Sequence, residues 1–226
     1  LDFNHPDQNE FVVVSQLWIE SETGAERRPD LLLYINGLPL IFIELKRSDK
    51  PLQNAYDDNL VRYRDLIRQL FVPNVACVLS NGAEAKVGAY NAKFRFFKDW
   101  LRVVEDKDNA APLSKKTIQA NDKSLEHLLL SFCPKATLLD YIENFVLYKT
   151  EFELKIVAQN HQFLGVNNAL RAYEARKDHP TENGLGTFWH TQGSGKSLSI
   201  VFFTEKLRRK YVGDFTFLIV TDRDDL

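Results

Sequence analysis

A chain of 226 residues, 44% hydrophobic, 27% charged and 12% aromatic with a formal net charge of −2, is neither a disordered tail nor a collagen-like or low-complexity sequence, and its length suits one large domain or two modest ones. Its longest apolar run, Leu38 to Ile43 broken by Pro39, falls far short of the ~20 residues that span a bilayer, and no basic-then-apolar leader opens it, so a soluble, cytoplasmic protein is expected. Cys77 and Cys133 lie in apolar stretches with no Cys or His neighbours at metal-ligand spacing, which argues against a disulfide framework or a zinc site and makes both core residues.

Residues 11–19 (FVVVSQLWI) are rich in β-branched and aromatic types and predict a strand, followed by a polar loop from Glu20 to Arg28. Leu31–Ile35 and Leu40–Lys46 flank Asn36-Gly37, a dipeptide that supplies the positive φ angles of a tight hairpin. Pro39 falls near the start of the second strand, where a missing N–H is tolerated. From Pro51 to Leu70 the spacing turns helical, with Leu60, Tyr63, Ile67 and Leu70 on one stripe. Val75–Ser80 predicts a short strand ended by Asn81-Gly82, and Ala85–Tyr90 another. Strand, hairpin, helix and strand together predict an α/β unit.

Residues 93–102 mix basic and aromatic side chains, and Arg62, Arg64 and Arg68 decorate the preceding helix. Near-zero net charge leaves any nucleic-acid contact to local clusters of this kind, but aromatics at 94, 97 and 100 fit packing against a core with the cations as a solvated face. Residues 105–124 are polar and form the best linker or excursion. Beyond them helices are expected at Leu125–Phe132, at Thr137–Lys149 with Thr137 as N-cap, and from Glu151 to Arg176. A Gly-containing loop, Asp178 to Gly186, leads to a strand at Thr187–His190, a Gly/Ser turn, a helix from Lys196 to Tyr211 and a strand at Phe215–Val220, a βαβ unit. The chain opens on Leu1 and contains no methionine, so a piece of a longer protein is expected.

The sharpest motif is His190-Thr-Gln-Gly193-Ser194-Gly195-Lys196-Ser197, where a strand turns into a helix. Glycines let backbone N–H groups converge on phosphate oxygens, the helix N-terminus adds partial positive charge, Lys196 reaches the β/γ-phosphates and Ser197 offers a hydroxyl to Mg²⁺. His190 takes the place usually held by the motif's first glycine. Upstream, Gln162 carries an amide able to pair with adenine N6 and N7, a choice of ATP over GTP.

A second constellation lies on the hairpin. Pro29-Asp30 opens its first strand and Glu44-Leu45-Lys46 closes the second. Strand alternation puts Glu44 and Lys46 on one face, and the hairpin brings Asp30 beside them. Two carboxylates and the Leu45 carbonyl would hold Mg²⁺, which lowers the pKa of an attacking water and stabilises charge on a phosphate, with Lys46 orienting that water. Phosphodiester hydrolysis is the natural use. Charged residues ending an otherwise apolar strand (LPLIFIELK) are costly unless paired or metal-bound.

With both motifs in view, the sequence resembles the restriction (motor) subunit of type I restriction-modification enzymes. The stretches that carry the resemblance are Arg28-Pro29-Asp30, Ile35–Leu40 leading to Glu44-Leu45-Lys46-Arg47, Ser80–Gly88, Trp189–Ser197 and Thr221–Leu226. It implies a PD-(D/E)xK (RecB-like) nuclease domain with a central mixed sheet over residues 1–136, a connecting helix at 137–149, and the start of a RecA-like P-loop ATPase lobe of a superfamily-two motor at 150–226. The family's metal carboxylates then fall on Asp30 and Glu44, its lysine on Lys46, and its Gln-x-x-x-Tyr element on Asn59 and Tyr63, with the glutamine replaced. Gln162 matches its adenine-contacting glutamine, and Gly193 to Ser197 its nucleotide loop. Implied with these are Mg²⁺ and ATP, double-stranded DNA as substrate, and specificity and methyltransferase subunits as partners. Without the later motor motifs, residues 150–226 are expected to bind nucleotide but not to hydrolyse it. A solitary nuclease-helicase of repair or phage defence, and an assembly module with an inactive nuclease fold, are the alternatives.

Overall fold

A computed structural model describes residues 1–21, 23–100, 123–176 and 184–220. They form two compact units, Leu1–Asn160 and His161–Leu226.

In the first unit, β1 (Phe11–Ser15), β4 (Leu31–Ile35), β5 (Leu38–Leu45), β6 (Ala76–Ser80), β7 (Ala85–Gly88) and β8 (Lys98–Asp99) form one sheet in that order, while β2 (Ile19–Glu20) and β3 (Glu26–Arg27) make a small separate hairpin. All neighbours run antiparallel except β5 and β6. The predicted β4–β5 hairpin turns at Asn36 (φ 50°) and Gly37 (φ 79°), the left-handed pair that a two-residue turn demands. Its register slips between Leu33 and Tyr34, opposite Pro39, and such an irregularity is where a residue without an N–H is accommodated. Residues 41–44 of β5 and all of β6 are buried, as expected for adjacent parallel strands covered on both faces.

A parallel pair requires a crossover, and the segment between β5 and β6 supplies one. The Pro51–Leu70 helix of the sequence reading is there in three pieces: a wide π turn at Ala55–Leu60, α1 (Val61–Leu66) and α2 (Arg68–Phe71), with the break at Ile67 (φ −123°, ψ 55°). The predicted stripe of Leu60, Tyr63, Ile67 and Leu70 is buried against Leu32, Phe42, Cys77 and Leu79. Burial pushes the Cys77 thiol up, the behaviour of an inert core cysteine. Phe97 and Trp100 are core residues and Phe94 packs against the core, while Lys93, Arg95 and Lys98 face solvent, so the packing reading holds over residues 93–100, while Leu101 and Arg102 lie outside the described residues.

Gly88 tests this packing. A Cβ there would lie 2.7 Å from the buried Phe97 ring, and overpacking of this kind costs about 1–3 kcal/mol. Gly88→Ala is expected to lower the urea midpoint accordingly at unchanged m-value.

Later elements depart from the sequence reading. After α3 (Ser124–Phe132), α4 runs from Lys135 to Asn144, so Thr137 lies inside its first turn and Pro134 holds the N-cap position. The helix does not reach Lys149. Val146–Lys149 is β9, paired antiparallel with β10 (Leu154–Val157), and only Asn160–Arg176 of the expected 151–176 helix is helical, as α5. Val146, Leu147 and Tyr148 favour a pleated strand once a partner is available. Most of the polar excursion at 105–124 lies outside the described residues, but Ser124 is buried at the start of α3.

In the second unit α6 spans Lys196–Lys210. Residues 187–190 and 215–220 are not strands here: neither has a ladder partner among the described residues, and β-branched composition does not make a strand without pairing. No described helix is long and apolar enough to cross a membrane.

Candidate active site

The end of β5 and the start of β4 converge as the hairpin requires. Asp30 Oδ2 accepts the Leu45 N–H at 2.8 Å, which ties the first carboxylate to the strand end that bears the others. The Lys46 N–H donates to the Ser80 carbonyl at 2.8 Å, extending the parallel register past β5. Glu44 and Lys46 share a face, Lys46 Nζ lying 3.7 Å from Glu44 Oε1.

Asn59 joins this group from the π turn. Its Oδ1 accepts Lys46 Nζ at 2.6 Å, while its Nδ2 donates to Glu44 Oε1 and, at 3.3 Å, to the Tyr63 hydroxyl. Tyr63 in turn donates to the Arg28 carbonyl at 3.4 Å. One helical turn separates Asn59 from Tyr63, so both point at the same strand end. Asn59 was absent from the residue-level reading and entered only through a family element whose glutamine it replaces. Its one sequence signal is the i, i+4 spacing to Tyr63 beside a charged strand.

Glu44 is 2% exposed. Burial first, and the neighbouring Asp30 charge second, push its carboxyl up to about 8, against the opposing pull of Lys46. Burial, followed by the charge of Glu44, raises the Tyr63 phenol. Glu44 Oε2 is buried without a hydrogen-bond partner. A buried carboxylate oxygen left unpaired is expensive, and a cation is the partner that suits it best. No cluster of three or more His, Cys, Asp or Glu able to hold a metal occurs among the described residues, so a cation at this place would take few protein oxygens and keep most of its waters, as Mg²⁺ does.

The second unit holds the nucleotide motif. Gly193 (φ 75°) and Gly195 (φ 81°) are left-handed, conformations that side chains resist, and a Cβ on Gly195 would meet Gln162 Nε2 at 2.7 Å. The loop ends on the N-terminus of α6. Lys196 Nζ donates to the His190 and Thr191 carbonyls at 2.9 and 3.3 Å, folding back across its own loop, and Ser197 is exposed. Ser194 Oγ donates to the Thr191 carbonyl at 2.7 Å. Gln162 is buried, with its Nε2 donating to the Gly195 carbonyl at 2.9 Å. It therefore braces the loop rather than standing on a solvated helix face. Thus Asp30, Glu44, Leu45, Lys46 and Tyr63 form one group, and Gln162 with Gly193 to Ser197 another.

Comparison with known proteins divides the chain in the same way. Residues 1–96 match the family described as type I restriction enzyme R protein N terminus, and residues 161–226 match the SWI2/SNF2 ATPase family. Over its whole length the chain is 38% identical to the type I restriction enzyme HindI endonuclease subunit of Haemophilus influenzae, covering 21% of that protein. It is 31% identical, again over its whole length, to a Methanocaldococcus jannaschii protein provisionally named the type I restriction enzyme MjaIXP endonuclease subunit, covering 23% of it. Identity is 27% over 88% of the chain to the SsaAORF53P endonuclease subunit of Staphylococcus saprophyticus, of which 19% is covered. The chain spans about a fifth of the length of the curated relatives it matches.

Proposed function

We propose that this chain, which belongs to the R-protein (endonuclease subunit) family of type I restriction enzymes, carries a PD-(D/E)xK nuclease centre in its first compact unit and the nucleotide loop of a RecA-like DNA-translocating motor in its second. The observation that carries the nuclease reading is the buried, unpartnered Glu44 Oε2 beside Asp30 and Lys46.

Asp30, Glu44 and the Leu45 carbonyl would hold Mg²⁺. The metal supplies Lewis-acid stabilisation of charge on the scissile phosphate and lowers the pKa of the attacking water. Asn59 fixes both flanking groups: it gives a hydrogen bond to Glu44 Oε1 and takes one from the Lys46 ammonium, a pattern that also suits the carboxylate once a cation has displaced its proton. Lys46 is then free to direct its remaining N–H bonds toward the attacking water, and Tyr63 braces Asn59 from behind. In the second unit the loop N–H groups from Gly193 to Ser197 would receive the ATP phosphates, Lys196 would exchange its own loop carbonyls for them, and Ser197 would reach the accompanying Mg²⁺. Gln162 would contact adenine from a position already bonded to the loop. Double-stranded DNA is the proposed substrate, with specificity and methyltransferase subunits reading sequence in a cytoplasmic complex.

Calorimetry tests the metal site. Mn²⁺ or Mg²⁺ is expected to bind the first unit of the full chain with heat that Asp30→Ala reduces at least tenfold in affinity. Binding indifferent to Asp30 overturns the proposal in favour of an inactive nuclease fold used as a scaffold.

A further inference from the structure

The nuclease group has an exposed neighbour that its chemistry does not use. Leu17 and Ile19 pack against the core, so the residue between them turns outward, and Trp18 is 59% exposed. The chain reaches it through Gln16, a non-glycine residue at φ 51° whose N–H donates to the Asp30 carbonyl at 2.9 Å. Left-handed backbone at a non-glycine residue costs free energy and concentrates at functional places. Here it pins the approach to Trp18 onto the catalytic carboxylate's own backbone.

Trp18 is paired. The Arg28 guanidinium carbon lies 4.9 Å from the centroid of the indole, one register step beyond the Ile19–Arg27 pair of β2 and β3. Arg28 is itself exposed, stands two residues before Asp30, and lends its carbonyl to Tyr63. Among the described residues of this small hairpin, the acids Glu20 and Glu26 pair on the far side of Ile19–Arg27, away from Trp18 and Arg28. An indole face and a guanidinium held together at the rim of a phosphodiester-cutting group match the two parts of a nucleotide: a phosphate for the cation, a sugar and base for the ring.

We propose that Trp18 and Arg28 form a DNA-strand clamp beside the nuclease centre. Arg28 binds a backbone phosphate next to the scissile one, and Trp18 packs against the sugar and base of that flanking nucleotide. The clamp rests on the nuclease reading of Asp30, Glu44 and Lys46 and adds to it the surface that holds the strand in place.

The test uses the assembled enzyme with single-turnover DNA cleavage at several salt concentrations, alongside ATP hydrolysis. Trp18→Ala is expected to slow cleavage about tenfold or more, Trp18→Phe to restore most of it, and Arg28→Gln to slow it with a log–log salt slope shallower by about one, all at unchanged ATPase rate. Irradiation of the enzyme on iodouracil-substituted DNA is expected to crosslink Trp18. Wild-type cleavage by Trp18→Ala, or equal loss in the Ala and Phe variants with a lowered melting temperature and no crosslink, overturns the clamp. Asp30→Ala run in parallel separates the two ideas: if it cuts normally the nuclease reading fails, and if it is inactive while Trp18→Ala and Arg28→Gln cut normally the clamp alone fails.

Discussion

Lys46→Ala is expected to reduce DNA cleavage by the assembled enzyme about 10³-fold while leaving its ATP hydrolysis within twofold of wild type. The ammonium is held by Asn59 at 2.6 Å and lies 3.7 Å from Glu44, so its position is fixed before any substrate arrives. Groups preorganised toward developing charge are commonly worth 10²- to 10³-fold each in rate, and this one also offsets the charge of a buried carboxylate. Lys46 lies outside the apolar core, so its loss is expected to read out in chemistry more than in folding. Lys46→Arg is not expected to rescue, because a planar fork cannot occupy a place shaped for a point charge. The measurement is ATP-dependent cleavage of unmethylated plasmid together with phosphate release. Cleavage that survives places the nuclease centre elsewhere; equal loss of both activities overturns the assignment of cutting and nucleotide binding to separate groups.

What could be read from the sequence was what local chemistry specifies. Asn36-Gly37 dictates its own turn, the turn fixes the β4–β5 register, and the register brings Asp30 to Leu45, so one dipeptide foretells most of the candidate site in the first unit. The nucleotide loop was legible for the same reason: Gly193 and Gly195 stand where left-handed backbone is required. Asn59 was hidden because Lys46 and Glu44 stand 13 and 15 residues away at a strand end and because it sits on a π turn whose period no helical stripe reveals. Gln162 was read as a base contact, yet its hold on Gly195 depends on a loop 33 residues downstream. The strand at Val146–Lys149 was lost to a helical pattern because its evidence is long-range pairing with Leu154–Val157, and strand composition at 215–220 misled for the converse reason.

Glu44 makes the proposed metal site sensitive to pH. Its carboxyl is pushed up to about 8 by burial and by Asp30, against an ordinary value of 4.5, so the folded metal-free protein keeps a proton that the unfolded chain has released. Stability from this group is complete below about pH 4.5 and is lost as pH rises through about 8, a decline of roughly 5 kcal/mol at most. Lys155 works in the other direction. It is buried with its Nζ on the Asn74 carbonyl and desolvation lowers it to about 8, so its unfavourable burial as a cation is relieved only above that pH. Stability in EDTA is therefore expected to decline between about pH 4.5 and 8, before Lys155 titrates. Glu44→Gln removes that decline and isolates the carboxyl from every other titrating group. Because a cation must displace the Glu44 proton, Mn²⁺ binding near pH 7 is expected to release close to one proton, measured by calorimetry in buffers of different ionisation enthalpy, and to strengthen nearly tenfold per pH unit until about 8. Affinity independent of pH between 6 and 8, with no proton released, would mean that Glu44 is already ionised and that Asn59 and Lys46 alone stabilise its charge.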